Sequence, residues 1–212
     1  MRFSLQSGRH TVPPVLSFTV LTEIATLLHL DKFHFLEPLI WAGLAAWVWT
    51  AIYTLVPITM IALLAAQLRA PGVDPPRTAP MPTATVAVLA VQAAILLPVG
   101  ALLFLNPARW SSLWPWELTP LTSRAVGAWL LGIGIGLVSV VAERDLVRIR
   151  PGLIAYVALG TMQLIALARY GGDVRWGEPQ SWIYVVVVTS IAAVGYVGLG
   201  VTRDARTKAA PR

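Results

Sequence analysis

Six apolar segments, near residues 13–30, 39–67, 83–105, 124–142, 152–169 and 182–202, approach or exceed the roughly 20 residues that an α-helix needs to cross a bilayer. Charge between them is scarce: Asp, Glu, Lys and Arg make up 12% of the 212 residues, about half the share in soluble domains. A surface that poor in charge cannot cover a water-soluble globule, and the mean hydropathy of +0.71 agrees. The expected fold is therefore all-α, a polytopic transmembrane bundle of six helices. Residues 1–212 form one integral membrane domain ending in a basic cytoplasmic tail, 203–212. The first segment carries Glu23, His29 and several threonines. No small-x-small cleavage site follows it, so it reads as a helix and not as a signal peptide.

Proline agrees with the boundaries. Pro13-Pro14 and Pro151 sit where first-turn prolines belong, and Pro71-Gly72-Val73-Asp74-Pro75-Pro76 makes the second connection a non-helical loop. Pro57 and Pro98 fall inside the second and third helices. Each should kink its helix and free a carbonyl for a neighbouring group.

Charge orients the bundle. Arg2, Arg9, Arg69, Arg77, Arg144, Arg148, Arg150, Arg203, Arg206, Lys208 and Arg212 fall on one set of alternate connections, and only Lys32, Arg109, Arg124, Arg169 and Arg175 on the other. The positive-inside rule then puts both termini in the cytoplasm, which requires an even number of spans. The net charge of +6 is thereby absorbed by topology, and no nucleic-acid partner is expected. Trp41, Trp110, Trp114, Trp116, Trp129, Trp176 and Trp182 gather towards the opposite, outer interface. Such a one-sided aromatic belt implies extra structure there. A bacterial cytoplasmic membrane is the expected location.

The chain also resembles itself. A shift of 141 positions lays Phe35-Leu36-Glu37-Pro38-Leu39-Ile40-Trp41 on Trp176-Gly177-Glu178-Pro179-Gln180-Ser181-Trp182, both aromatic-x-Glu-Pro-x-x-Trp. A shift of 137 brings Pro14 to Pro151, Leu27 to Leu164, Leu30 to Leu167, and Lys32-Phe33 to Arg169-Tyr170. Helices one and two thus look like a copy of helices five and six. With four spans between the copies, the repeat is a partial parallel one. The fourth helix and its leading loop have no earlier counterpart.

That loop reads Trp114-Pro115-Trp116-Glu117-Leu118-Thr119-Pro120-Leu121-Thr122, followed by Gly127-Ala128-Trp129. It resembles a family of uncharacterised bacterial multi-pass membrane proteins with a Trp-Pro-Trp-x-Leu-Thr-Pro-Leu-Thr segment ahead of a Gly-Ala-Trp helix. The His29–Phe35 segment and Ala168-Arg169-Tyr170 belong to the same likeness, which runs from about Leu21 to Gly200. The resemblance implies membership of a membrane family and carries no assigned activity.

Candidate chemistry is sparse. Glu23 and His29 are ionisable residues within a span, and intramembrane charge suggests function by default. Six positions apart, they point about 120° from each other around the helix and form no acid–base pair. Glu23 could line a polar seam with Gln92 or Gln163, either as an interhelical packing bond or as a transport path. Asp31, His34, Glu37, Glu178, Trp114, Trp116 and Arg124 make up a candidate outer-face site. Glu37 and Glu178 either converge on a pseudo-twofold axis to bind a cation or proton, or serve only as helix-start residues before Pro38 and Pro179. The segment Trp114–Arg124 is the best ligand-binding lip, a short interfacial helix or re-entrant piece in which Thr122 or Ser123 can cap the fourth helix. His29, Asp31, His34 and Glu37 lack the paired spacing of metal motifs, and with no cysteine neither a metal nor another cofactor is expected. Ala128, Gly132 and Gly136, four apart, mark a helix-packing face within the bundle or between subunits.

The leading functional expectation is a non-enzymatic structural or partner-binding membrane subunit, with the lipid bilayer, another membrane protein or a second copy as partner. A small secondary transporter or channel with Glu23 in its pathway comes second. A membrane enzyme acting on a lipid at the outer face comes third, since no nucleophile elbow, P-loop or paired-histidine helix is present.

Overall fold

The computed structural model describes residues 12–33, 35, 40–69 and 77–209, with side chains through residue 203. Glu37, Pro38, His34 and the Pro71–Pro76 loop lie outside the described residues. The element order is α1 (Val12–Leu27), α2 (Ile40–Arg69), α3 (Thr83–Leu105), the single turn α4 (Pro107–Trp110), α5 (Pro120–Glu143), α6 (Arg150–Arg169) and α7 (Pro179–Ala209). 3-10 turns occupy Leu30–Lys32, Ser111–Leu113 and Gly171–Asp173. Among the described residues there is no strand, only an isolated antiparallel bridge between Pro80 and Asp145.

Five helices, α2, α3, α5, α6 and α7, are long and apolar enough to cross a membrane; α1 is apolar but has 16 residues. Burial runs inside out. In the most apolar stretch of α2 only 6% of residues are buried. Trp41, Trp47, Leu55 and Ile58 stand exposed while Gly43, Ala46, Pro57 and Gln67 face inward. Likewise α1 buries Thr19, Thr22 and Thr26 and turns Ile24 and Leu27 outward, and just after it His29 is buried while Leu28 is exposed. An apolar exterior around a polar seam is stable only where the solvent is hydrocarbon. Both α2 and α3 continue as helix through Pro57 and Pro98.

Helix α5 starts four residues before the apolar run of the sequence. Thr119 accepts the Thr122 N–H on its Oγ1 (3.2 Å) and the Ser123 N–H on its carbonyl (2.8 Å), ahead of Pro120 at the first position. The cap is therefore Thr119 and not Thr122 or Ser123, because proline fixes the helical φ one residue after it. Ser123, fully buried, instead donates Oγ–H to the Leu103 carbonyl of α3 (3.1 Å).

The chain forms two compact units. The first draws on Met1–Asp74, Ala94–Ser111 and Leu118–Gly136; the second on Pro75–Ala93, Ser112–Glu117 and Leu137–Arg212. In the first, α2 packs on α1, and α5 turns Ala128, Gly132 and Gly136 towards α1. Ala128 is fully buried with Ala25 and Phe104, and a Cβ on Gly132 would lie 2.9 Å from that of Phe18. On another face of α5, a Cβ at Gly127 would meet the Gly100 carbonyl of α3 at 2.7 Å. In the second unit α6 and α7 pack directly together, with Gly160 against the Ala192 backbone and Gly195 against Val157.

Candidate functional site

Glu23, His29, Gln92 and Gln163 each have a partner inside their own unit. Glu23 Oε1 accepts from Thr54 Oγ1 of α2 (2.8 Å), and Trp49 of the same helix donates its indole N–H to Thr26 Oγ1 (3.1 Å). Gln92 donates to Ser190 Oγ (2.8 Å) and accepts from Tyr156 (3.2 Å), joining α3, α6 and α7. Gln163 accepts from the Tyr184 hydroxyl (2.9 Å) across α6 and α7. Glu23 thus bonds to Thr54, while Gln92 and Gln163 bond to hydroxyls of the second unit.

His29 follows the last turn of α1 and is nearly buried. Its Nδ1–H donates to the Ala25 carbonyl (2.9 Å), which leaves Nε2 to accept from Arg124 Nη1 of α5 (3.0 Å). The next turn carries an exposed pair, Lys32 and Asp31 (3.1 Å), and the hydrogen bond from Lys32 holds the Asp31 carboxyl below its ordinary value.

In the second unit, the residues before α5 are fastened to the α6–α7 connection. Arg175 donates from Nη2 to the carbonyls of Ser112 (3.2 Å) and Trp114, and from its backbone N–H to Pro115 (2.9 Å). Gln180 adds a bond to Ser112 (3.0 Å), and Ser181 Oγ closes the turn on the Arg175 carbonyl (2.7 Å). Trp114, Trp116 and Tyr184 meet edge to face, with ring centres 5.2 to 5.4 Å apart. Beside them lies a mostly apolar cavity of about 260 Å³, walled by Trp116, Leu167, Tyr170, Val174 and Tyr184, with Gln163 and Asp173 as polar lining. Glu178 is exposed just before Pro179 of α7. Trp114–Thr119 is irregular, and the short helix of this region is α4, upstream of it.

A further polar centre lies at the α5–α6 connection, where no single residue of the sequence drew attention. Asp145 is fully buried and its carboxylate accepts the backbone N–H groups of Thr78 (2.6 Å), Ala79 (2.7 Å) and Arg148 (3.0 Å). Desolvation opposes its ionisation, but the N–H groups of Ala79, Arg148, Thr78 and Val147 prevail and hold the carboxyl below 3.8, its ordinary value. Next to it, buried Glu143 pairs with Arg148 (2.6 Å) and with the more exposed Arg77 (3.5 Å). Bonds from Met81 N–H to Arg144 O and from Leu146 N–H to Ala79 O flank the Pro80–Asp145 bridge. The glutamate and aspartate neutralise and order a connection whose remaining charges are basic. The only sequence signal is Glu143-x-Asp145-x-x-Arg148, two acids within a basic loop.

Among the described residues no three His, Asp or Glu side chains are placed to share a metal ion; His34 and Glu37 lie outside them. The chain matches no family model, no curated protein and no solved structure.

Proposed function

We propose that the chain is a non-enzymatic subunit of a bacterial cytoplasmic membrane, with six spans and cytoplasmic termini, whose role is structural or partner-binding. The observation that carries this reading is the pairing of Gln92, Gln163 and Trp49 with hydroxyls of adjacent helices. Polar groups committed to one another fix helix packing. The largely bare α2 supports a role in which lipid or another membrane helix completes the surface. What supports the parallel repeat is that α1 packs on α2 and α6 on α7, each within its own unit. The Trp114–Thr122 segment supports membership of the multi-pass family it resembles.

Extraction in mild detergent at native expression, followed by native mass measurement, tests the subunit reading. A particle well above the 22.9 kDa of one chain is expected, and a clean monomer overturns it. One observation favours transport: Glu23 Oε2 is buried without a hydrogen-bond partner. Ion or proton flux in proteoliposomes that disappears in Glu23→Gln would establish that reading in place of the first.

A further inference from the structure

The cavity at the α6–α7 connection is built by the second unit alone. Three aromatic side chains, Trp116, Tyr170 and Tyr184, line its volume of about 260 Å³, with Leu167 beside them and Asp173 and Gln163 as polar lining. Trp116 and Tyr184 are part-buried and stand at 86° with ring centres 5.4 Å apart, so the two rings form a corner and not a stack. That corner is fixed by the protein itself. Buried Trp114 packs edge to face against both rings, and Arg175 ties the main chain of Trp114 and Pro115 to the α6–α7 connection. Gln163 Oε1 holds the Tyr184 hydroxyl across α6 and α7 (2.9 Å). Tyr170 and Asp173, both exposed, form the rim, and the Asp173 N–H bonded to the Tyr170 carbonyl (3.0 Å) keeps them on one turn.

We propose that this cavity binds a quaternary ammonium group of the choline type. The face of an aromatic ring is electronegative, and a cation set against several faces is attracted to each. Asp173 supplies the formal counter-charge, while Leu167 and the rings suit the methyl groups that cover such a cation. Other occupants fit less well: an anion meets the carboxylate and the ring faces with the same sign, and a wholly apolar group would strip water from Asp173 and Gln163 without replacing it. The size agrees, since sites for drug-sized ligands begin at roughly 300 Å³ and this one suits a headgroup. A cation already stands on one of these rings: the charge centre of Arg169 lies 5.6 Å from the ring centre of Tyr170. Its charge opposes the incoming ammonium, so removing it should strengthen binding. The inference concerns one cavity of the second unit and does not depend on the subunit reading.

The test uses the full-length protein in dodecyl maltoside, titrated with choline chloride and followed by ligand-observed NMR. Phosphatidylcholine is titrated in parallel against phosphatidylglycerol, with bound lipid counted by native mass spectrometry. Saturable binding of choline is expected, and its uncharged carbon isostere, equal in shape, should bind roughly tenfold more weakly. Asp173→Asn should weaken binding by about tenfold and Trp116→Leu by about threefold or more. Glu178→Gln, at an exposed carboxylate outside the lining, should leave it within about twofold, and Arg169→Gln should tighten choline binding by about twofold. Should Trp116→Leu fail to fold, Asp173→Asn, a change at an exposed position, decides alone. Saturation by choline, with or without phosphatidylcholine, identifies the ammonium group itself; saturation by phosphatidylcholine but not by choline or phosphatidylglycerol identifies the lipid headgroup. Saturation by neither choline nor phosphatidylcholine, equal binding of choline and its isostere, equal binding of the two lipids, or unchanged binding in Asp173→Asn overturns the proposal.

Discussion

The α1–α2 pair of the first unit and the α6–α7 pair of the second have matching signatures in sequence, yet only the second adds close backbone approach to its side-chain bonds. Between α1 and α2 the contact is side-chain chemistry: the Trp49 indole on Thr26, Thr54 on Glu23, and Phe18 edge-on to Tyr53 at 6.0 Å. Between α6 and α7 side-chain bonds also cross, from Tyr184 to Gln163 and between Thr161 and Tyr196, but backbone proximity is added, with Gly160 and Gly195 letting one helix reach the main chain of the other. Lipid tails are as apolar as leucine, so no hydrophobic drive joins two membrane helices. What remains is close packing or hydrogen bonding, and the α6–α7 pair adds close backbone approach to the hydrogen bonds that both pairs have.

The sharpest way to break the comparison is to remove the close approach. A Cβ on Gly160 would sit 2.6 Å from the Ala192 nitrogen, a distance that only movement of the α7 backbone could relieve. Gly160→Leu should cost about 3 kcal/mol or more and abolish cooperative thermal unfolding in detergent. Gly152 lies on the same helix with nothing within 4 Å, and Gly152→Ala should leave the transition where it is. Equal effects at both positions would mean that the α6–α7 pair is not held by proximity.

A second difference is buried charge. The second unit keeps Asp145 fully enclosed on three backbone N–H groups. Asp145→Ala leaves those donors unsatisfied and should cost about 2–3 kcal/mol at neutral pH. The pH dependence follows from the lowered pKa. A carboxyl titrating lower in the folded than in the unfolded state contributes stability above its unfolded value, 3.8, and loses it as pH falls through the folded one. Wild-type protein should therefore lose stability in acid below about pH 4. Asp145→Ala should lack that component, and hydrogen exchange should show the wild-type loss first around Thr78 and Ala79. An identical acid profile in the variant would remove Asp145 as the cause.

What could be read from the sequence follows the reach of each signal. Hydropathy and proline are local, so α3 is placed correctly from its apolar run alone, and the Ala128, Gly132 and Gly136 spacing already marks a face that α1 occupies. The start of α5 is displaced when charge is used as the boundary, because Arg124 lies inside the helix that Thr119 caps and Pro120 begins. Asp145 is silent because its partners are main-chain N–H groups 66 and 67 residues away, which no side-chain pattern encodes. His29 and Arg124 each stand out as polar residues in apolar surroundings, but 95 positions separate them and only the packing of α1 on α5 brings them together. Glu23, Gln92 and Gln163 look like one polar set by composition. They bond instead to Thr54, Ser190, Tyr156 and Tyr184, hydroxyls that are too common in membrane helices to signal a pairing.

The smallest effect tests the other half of the comparison. Trp49→Phe keeps an aromatic ring facing Tyr53, whose centre lies 4.6 Å away, and deletes only the indole N–H that reaches Thr26. Interhelical hydrogen bonds of this kind are worth about 0.6 kcal/mol in a membrane, because the separated helices find other partners. Thr26 also donates to the Thr22 carbonyl (2.9 Å), so its hydroxyl keeps a bond after the change. The expected loss is therefore below about 1 kcal/mol, read as a small shift of the thermal midpoint, and it should vanish in Thr26→Val, where the acceptor is already gone. A loss as large as that of Gly160→Leu would show that α1 and α2 depend on a single polar bond. No shift at all would show that the aromatic contacts alone hold them, and that the polar seam of α1 contributes shape more than attachment.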